Sequence, residues 1–393
     1  MGMIINIDQA LKNHAQYNVL CEPLHQMMKD RQEAWEKQNP IDLIFHRSTI
    51  STFQETYSSS IGFEHAFAET GDYAVGPIFN TAPGFTATYT TRTFQGGFII
   101  TQQAMEDRQI GKIKDDATAF QKRWHGDVVE YCMAALNGAF GSEATWGSAA
   151  NGGVSKIKLY SADTTDGKIE TQTKNPLFTK THKTVLRENG NGGVSQSNMF
   201  YIDGLDFAGD DAGVIAKLAD GINQIITIME NYLDDNGKIA GITGAKTIVA
   251  ANDAHLKGAL ENALSIQNFK QGESMNMNPA YQKATFATTP YLNLVDACKD
   301  GAGFFIVDKS YNAENHGPEV TERIPFTLEA TETKRPKGIV YDGRQRFDVN
   351  TASWRGIAYV RVKAPDNSGD FIAGKFTTIT PAKTKVFLTK TAT

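Results

Sequence analysis

The sequence has no excess of basic residues and few cysteines. Its 393 residues carry 39 Lys and Arg against 44 Asp and Glu, a formal net charge of −5. Such a chain has no global positive field that would draw in nucleic acid. The three cysteines, Cys21, Cys132 and Cys298, are far apart and odd in number, which indicates reduced thiols and not a disulfide framework.

Membrane and export signals are also missing. No stretch approaches the roughly 20 consecutive apolar residues of a membrane span. The N-terminus, MGMIINIDQALKNH, lacks the basic, apolar and cleavage regions of a signal peptide, and the residues after Gly2 do not fit a myristoylation signal. We therefore expect no membrane partner.

Nucleotide-binding and nucleophile motifs fail on spacing. GITGAKT (241–247) resembles a phosphate loop, but Ala245 separates Gly244 from Lys246, and an apolar strand follows where a helix should begin. GNGGVSQS (190–197) lacks the GxSxG spacing of a nucleophilic serine.

Metal-binding motifs fail in the same way. The eight histidines show no HxxH or HExxH spacing. The turns at Asp166-Gly167 and Asn236-Gly237 lack the alternating oxygen ligands of a calcium loop. The sequence thus nominates no catalytic, cofactor-binding or metal-ligating residue, requires no cofactor, and predicts a protein that is not an enzyme.

What the sequence does have is a long charge-poor stretch. Residues 49–105 contain five charged side chains, and Thr, Ser, Gly, Phe and Tyr dominate. The segments 72–80 and 85–101 are predicted strands joined by a turn at 81–84, which together predict a long hairpin. Because an isolated hairpin is marginal in water, this arm must fold back on its own domain or lie on a neighbour. Low charge with aromatic residues favours the neighbour.

A long amphipathic helix follows the arm. The spacing within residues 101–140 places one apolar stripe along a 3.6-residue period. The stripe consists of Ile113, Ala117, Phe120, Trp124, Val128, Tyr131 and Ala135. Thr101 is the predicted start, Gly138 and Gly141 mark the end, and Gly111 is a possible kink. At about 1.5 Å per residue the helix would be roughly 50 Å long, which suits the backbone of an elongated domain.

The remaining segments divide by pattern. Residues 141–200 are predicted to be an inserted surface segment with a hairpin turning at Asp166-Gly167. Residues 200–310 are predicted to form a compact α/β unit in which Asp253 caps a helix, and 291–297 is one of its strands. Residues 320–393 are mostly strands, with a turn at Asp342-Gly343. Trp124 and Trp354 are expected in the core.

This order of elements resembles the major capsid protein of tailed bacteriophages, the Hong Kong ninety-seven type fold. The arm runs into the helix IITQQAMEDRQIGKIKDDATAFQKRWHGDVVEYCMAALNGAF, and late strands ending in RFDVNTASWRGIAYVRVKAP close the layout. The resemblance implies an α+β fold. It divides the chain into an N-terminal arm (1–50), an extended β-hairpin loop (51–101), a peripheral domain with spine helix and inserted hairpin (102–204), an axial domain (205–320), returning strands of the peripheral domain (321–365) and a C-terminal tail (366–393).

The resemblance also implies a function. The expected role is structural: self-assembly into pentamers and hexamers of an icosahedral virion capsid that encloses double-stranded DNA without sequence-specific binding. Assembly would take place in the host cytoplasm, with portal and decoration proteins as further partners. Because about 50 residues precede the loop, a separate scaffolding protein is expected in place of a long cleavable segment.

One departure from the family sharpens the expectation. Some members crosslink a lysine of the extended loop to an asparagine of a neighbour. Here no lysine occurs between Lys37 and Lys112, so we predict a shell held by non-covalent contacts.

Two other functions remain open. An encapsulin-type bacterial nanocompartment would use the same fold to enclose a protein cargo. A monomeric carbohydrate-binding or hydrolytic protein would use the Thr- and aromatic-rich strands as a concave site.

Overall fold

The computed structural model describes most of the chain. The described residues are 26–27, 30–35, 39–60, 69–70, 76, 78, 83–103, 110–148, 153–168, 173–184, 193–205, 211–235, 237–271, 274–334, 337–363 and 376–381.

Among the described residues, strands outnumber helices, and they occur from His46 to Ile379. The strands are β1 (His46–Thr49), β2 (Gln54–Ser60), β3 (Pro83–Thr90), β4 (Arg92–Thr101), β5 (Ala144–Ser148), β6 (Gly153–Ile157), β7 (Tyr160–Thr164), β8 (Lys174–Pro176), β9 (His182–Lys183), β10 (Ser195–Gln196), β11 (Met199–Ile202), β12 (Lys246–Ala251), β13 (Asn268–Gln271), β14 (Ser274–Met277), β15 (Ala284–Thr289), β16 (Gly303–Asp308), β17 (Glu319–Lys334), β18 (Lys337–Asn350), β19 (Ile357–Arg361) and β20 (Thr377–Ile379). The α-helices are α1 (Ile110–Asn137), α2 (Asp211–Glu230), α3 (Ala254–Ser265) and α4 (Lys309–Glu314). The predicted α+β class is confirmed.

A six-stranded mixed sheet forms the centre of the molecule, in the order β15-β12-β16-β19-β11-β20. β12 pairs parallel with β15 and antiparallel with β16. Helices α2 and α3 pack against this sheet, and β16 is buried along its whole length. As predicted, Asp253 caps α3, because its side chain accepts a hydrogen bond from the Leu256 amide at 2.9 Å.

This sheet draws on more of the chain than the range 205–320. β11, β19 and β20 lie outside that range, and β20 lies within the predicted tail. The predicted strand at 291–297 is wrong. Its first residues form a 3-10 helix, Pro290–Leu294, because Pro290 has no amide hydrogen for a sheet and the Thr289 side chain caps the turn.

A second, four-stranded sheet has the order β1-β17-β18-β4. β17 and β18 form one hairpin that pairs from Glu319 and Asn350 to Lys334 and Lys337. The predicted turn at Asp342-Gly343 is wrong, since both residues lie inside β18. Packing explains the glycine: a Cβ at Gly343 would lie 2.9 Å from the Phe326 ring.

Helix α1 joins the two sheets. Its 28 residues span about 42 Å. Ile113 and Ala117 pack on Ile339 and Tyr341 of the four-stranded sheet. Its C-terminal half enters the main core, where side chains beyond the predicted stripe are also buried; they include Val129, Cys132, Met133 and Leu136.

The ends of this helix agree with the prediction in the part that the structure describes. Thr101 ends β4, Gln102 and Gln103 directly after it are helical, and residues 104–109 lie outside the described part. The helix runs through Gly111. It ends as predicted: Asn137 is its last residue, and Gly141 adopts a left-handed φ of 92° after a short 3-10 turn.

The N-terminal arm and the inserted segment 141–200, for which no part in a domain core was predicted, both contribute to the main core. Residues 30–35 are helical, Pro40 begins a 3-10 helix, and Ile41, Ile44 and Phe45 are buried. The inserted segment has the predicted β7–β8 hairpin, with Gly167 at φ 77°. It is nevertheless no surface loop, because its apolar side chains at Leu159, Leu177 and Phe178 are buried in the same core.

Candidate assembly surfaces

The base of the charge-poor arm is docked on its own subunit. β2 pairs antiparallel with β3, from Gln54 opposite Thr90 to Ser60 opposite Pro83. Phe85, Ala87 and Tyr89 are buried together with Ala162 of the inserted segment. The predicted strand partner, 72–80, lies largely outside the described residues. The described base of the arm therefore folds back on its own subunit, and most of residues 61–82 lie outside the described part.

The predicted strand 85–101 is divided at Thr91 between two sheets. β3 belongs to the arm, whereas β4 pairs with β18 in the four-stranded sheet. The Asn350 side chain bridges the division, donating to the Thr90 carbonyl at 3.2 Å and accepting from the Thr90 amide at 3.4 Å. An amide side chain thus replaces the strand partner that the backbone loses at this point.

A buried carboxylate lies directly beyond this division. Asp348 accepts from Arg92 Nε at 3.0 Å and from the Tyr131 hydroxyl at 2.6 Å. Burial raises the pKa of Asp348, while the hydrogen bond from Tyr131 and the charge of Arg92 oppose that rise. Arg92 also donates to the Lys156 carbonyl at 2.7 Å, so one guanidinium links the arm, the long hairpin and the inserted segment.

An aromatic and acidic cluster supports the other side of the arm base. The Tyr57 ring lies 4.2 Å from the His316 ring and 4.7 Å from the Tyr89 ring. Glu319 is buried beneath them, and His316 Nδ1 lies 3.4 Å from its carboxylate. Burial and the charge of Glu319 raise the pKa of Tyr89, which keeps its hydroxyl protonated.

The edge of the four-stranded sheet carries a strip of neutral, exposed residues. β4 is the last strand of the sheet, and its outward residues are Thr93, Gln95, Gly97, Ile99 and Thr101. We name these five residues the neutral strip. Natural edge strands usually carry charges or bulges that prevent pairing with another chain. In β4 the only charged residue is Arg92, whose side chain forms an ion pair with Asp348.

Other exposed apolar side chains among the described residues are scattered singly. Phe53 is 55% exposed and Ile78, in the arm, 92% exposed; the rest include Val194, Ile239, Met277 and Leu294. Single exposed apolar residues are ordinary on soluble proteins. Phe53, Ile78 and Ile99 differ from the others because they lie in the charge-poor stretch 49–105.

Lys246, the lysine of the phosphate-loop-like segment, has a structural role. Its ammonium lies 2.8 Å from the Asp308 carboxylate and also donates to the carbonyls of Ile242 and Gly244. Both charged side chains are at most 2% exposed. With its three donors directed at protein oxygens, this lysine is not presented to a phosphate.

A buried polar network that no sequence pattern indicated holds the inserted segment. Asp163 accepts from Asn175 Nδ2 at 2.6 Å and lies 3.0 Å from His182 Nδ1. His182 Nε2 lies 3.2 Å from the Asn198 side chain, and its ring stacks on Trp354 at 4.0 Å. The members of this network are spread from position 163 to position 354, so no short motif could reveal them.

The network is not a catalytic triad. Burial acts to raise the pKa of Asp163, but attraction to His182 and the hydrogen bonds it accepts lower that pKa below its usual value. The Ser161 hydroxyl donates to Asp163 and not to the imidazole, and His182 is fully buried. A triad requires an accessible hydroxyl on the histidine.

The turns that resembled calcium loops also use their oxygens internally. Asp166 accepts from the Lys168 amide at 3.0 Å, and Asp234 accepts from the Lys238 amide at 2.8 Å. In the part of the chain that the structure describes, no group of three or more His, Cys, Asp or Glu is placed to hold a metal ion. Within the same residues, no helix is long and apolar enough to cross a membrane.

Comparisons with known proteins give similarity at the level of solved structures. No family model and no curated protein matches the chain. The chain is similar to the mature capsid of bacteriophage PhiM1 (10% identity, 81% of this chain and 86% of that one, TM-score 0.42) and to a structure from Mycobacterium phage Patience (13%, 89% and 89%, 0.42). It is also similar to a virus-like particle from Pyrococcus furiosus (8%, 86% and 98%, 0.42). Identities and TM-scores this low leave the function to be argued from the residues of this chain.

Proposed function

We propose that this chain is a major capsid protein whose copies assemble, as pentamers and hexamers, into an icosahedral shell around double-stranded DNA. Its role is structural and not catalytic. The observation that carries the proposal is the neutral strip of β4 beside the charge-poor arm, because an uncharged edge strand is a template for pairing with another chain. A shell protein needs such surfaces, whereas a soluble monomer is selected against them.

Three further features support a shell protein. Helix α1 is longer than one sheet requires, which suits an elongated subunit. Lys246 of the phosphate-loop-like segment and the pair of Asp163 and His182 are buried and held by hydrogen bonds within the protein. The net charge of −5 suits a container that confines DNA without binding it tightly.

The domains retain the roles that the resemblance implies. The arm beyond Ser60 and Pro83 lies across the adjacent subunit, the six-stranded sheet with α2 and α3 forms the axial unit, and the four-stranded sheet with α1 forms the peripheral unit. A separate scaffolding protein guides assembly, and portal and decoration proteins complete the particle in the host cytoplasm. Because no lysine lies between Lys37 and Lys112, boiled and reduced shells should migrate as a single monomer band on a denaturing gel.

Deleting the distal arm tests the arm as an intersubunit contact. Ser60 and Pro83 are the last paired residues of β2 and β3, beyond a register shift after Ser58. Residues 61–82 can therefore be replaced by a short Gly-rich turn without touching the docked base. The subunit should keep its circular dichroism spectrum and its unfolding midpoint, yet form no stable shells in velocity sedimentation. Normal shells from this variant would contradict the arm's role.

A single charge tests the neutral strip. Ile99→Lys places an ammonium in the exposed edge and should abolish or strongly slow assembly while the subunit stays folded. Val194→Lys is the matched control, because Val194 is also exposed but lies far along the chain from β4. Equal assembly of the two variants would count against the strip. The particle contents identify the cargo: nuclease-protected DNA is expected, and an enclosed enzyme would favour the nanocompartment.

A further inference from the structure

The inserted segment contacts four separate parts of the subunit. Its backbone bonds to the 3-10 turn that follows α1, where the Leu159 amide donates to the Gly138 carbonyl at 3.1 Å and the Phe178 amide donates to the Ala139 carbonyl at 2.9 Å. The Ala162 amide donates to the Ala352 carbonyl at 2.8 Å, which ties the segment to the connection between β18 and β19.

The third attachment is to the six-stranded sheet. Asn198 immediately precedes β11, and its carbonyl accepts from the Tyr359 amide of β19 at 2.8 Å. Its side chain accepts from the Thr179 amide at 3.0 Å and donates to the Leu177 carbonyl at 2.8 Å. Through His182 and Asp163 the buried network then reaches β7. The polar side chains of Asp163, Asn175, His182 and Asn198 are all hydrogen-bonded within this network. Such a network resists opening, because separating its members leaves buried polar groups unpaired.

The fourth attachment is to the arm. Ala162 packs among Phe85, Ala87 and Tyr89, and the Lys174 ammonium donates to the Thr86 carbonyl of β3. Arg92 closes the junction through the Lys156 carbonyl. Burial lowers the pKa of Lys174, in agreement with an ammonium held against the protein. The arm is thus fixed by a segment that is itself fixed to the helix and to the central sheet.

We propose that residues 153–168 and 173–184 act as a brace that sets the direction in which the arm leaves the subunit, with Lys174 and Arg92 as its positioning residues. If the arm hairpin were held only by its connection to β4, it could rotate about Thr91, where the backbone passes from one sheet to the other. The contacts that the brace makes at Thr86 and through Ala162 lie away from Thr91 and prevent this rotation. The brace is a property of the single subunit, whereas its consequence for shell curvature rests on the proposed function.

Hydrogen exchange on the unassembled subunit tests the brace directly. Lys174→Met keeps the side-chain stem but removes the ammonium, and Lys168→Met is the control, an exposed lysine of the same segment. A charge-assisted hydrogen bond contributes enough that its loss should speed amide exchange in 54–60 and 83–90 by about tenfold or more. Exchange in 246–251 and 303–308, within the central sheet, should not change in either variant.

Two results would overturn the brace. One is unchanged arm exchange in Lys174→Met, equal to that of Lys168→Met. The other is an equal rise in the arm and in the central sheet, which would show general destabilisation. If the subunit assembles, Lys174→Met should also broaden the distribution of particle diameters in electron micrographs. The exchange result stands whether or not shells form, so a failure of the brace and a failure of the proposed function are distinguishable.

Discussion

Arg92 and Asp348 form an ion pair, with Nε and Oδ2 3.0 Å apart, at the point where the arm returns to the four-stranded sheet. The arginine side chain is 39% exposed and the aspartate 7%. The carboxylate accepts hydrogen bonds from the guanidinium, from the Tyr131 hydroxyl and from the Val349 amide, and only the guanidinium brings a charge. The pair closes the junction between arm and body.

Arg92→Gln should lower the free energy of unfolding by about 1–3 kcal/mol at neutral pH, because it leaves a buried carboxylate short of a charged partner. The folded-state pKa of Asp348 is raised, so ionising it costs stability as pH rises from 3.8 through that raised value. Loss of Arg92 makes ionisation of Asp348 still more costly, so the loss of unfolding free energy caused by Arg92→Gln should be smaller in acid. Urea unfolding of both proteins at neutral and at acidic pH measures this difference.

Arg47→Gln is the control for that variant. Arg47 pairs with Asp42 at 2.6 Å, but both side chains are 40% or more exposed. Exposed pairs contribute little, so its effect should stay within about 0.5–1 kcal/mol. If the two substitutions cost the same, burial of Asp348 would not be what makes the Arg92 contact important.

The buried pair of Lys246 and Asp308 should respond differently to single and double substitution. Lys246→Met alone leaves an uncompensated buried carboxylate and should cost about 3–5 kcal/mol, whereas Lys246→Met with Asp308→Leu should cost less. Lys257 and Glu261 in α3 form an exposed pair, 3.9 Å apart, and serve as the control. A double-mutant cycle on this pair should give a coupling free energy close to zero. Additive costs at Lys246 and Asp308 would contradict the interpretation of the site as an ion pair.

Asp163 should make the inserted segment sensitive to acid. Its folded-state pKa is lowered below 3.8, so its contribution to stability is complete above that value and is lost as pH falls through the folded pKa. The stability difference between the protein and its Asp163→Asn variant should therefore narrow below about pH 4. Asp166→Asn, in the nearby turn, should be nearly neutral at every pH, because Asn suits a turn equally well.

The two tryptophans that were predicted to lie in the core are not equivalent. Trp354 is 2% exposed and stacks on His182, so Trp354→Ala should cost about 3–5 kcal/mol. Trp124 is half-buried between α1 and the four-stranded sheet, with its Nε1 donating to Gln345 at 3.0 Å. Trp124→Ala should therefore cost less, about 2 kcal/mol. Equal midpoints in urea would contradict this ranking.

Local sequence patterns predicted the elements that are determined by residues close together in the chain. Helices α1, α2 and α3 and the buried strands β12 and β16 follow from periodicity and apolar runs, and the Asp253 cap follows from one residue type at one position. The predicted type of element was wrong where tertiary packing determines the structure. Asp342-Gly343 has the composition of a turn, yet it lies inside a long strand, where a Cβ at Gly343 would come within 2.9 Å of the Phe326 ring.

Long-range pairing could not be predicted from local patterns. Nothing around Thr91 signals that β3 and β4 belong to different sheets, because the division depends on Asn350 and Asp348, more than 250 positions away. The network of Asp163, His182 and Asn198 is likewise assembled by the fold. Composition did predict the feature from which assembly is argued, since the scarcity of charged residues between positions 49 and 105 is evident from the amino-acid sequence alone.

Electron microscopy of the expressed, concentrated protein tests the central claim most directly. We expect closed shells, or curved open assemblies where a scaffolding protein is absent, in which the segment 61–82 of one subunit contacts the next. A homogeneous monomer at every concentration, confirmed by velocity sedimentation, would contradict the proposal that this chain builds a capsid.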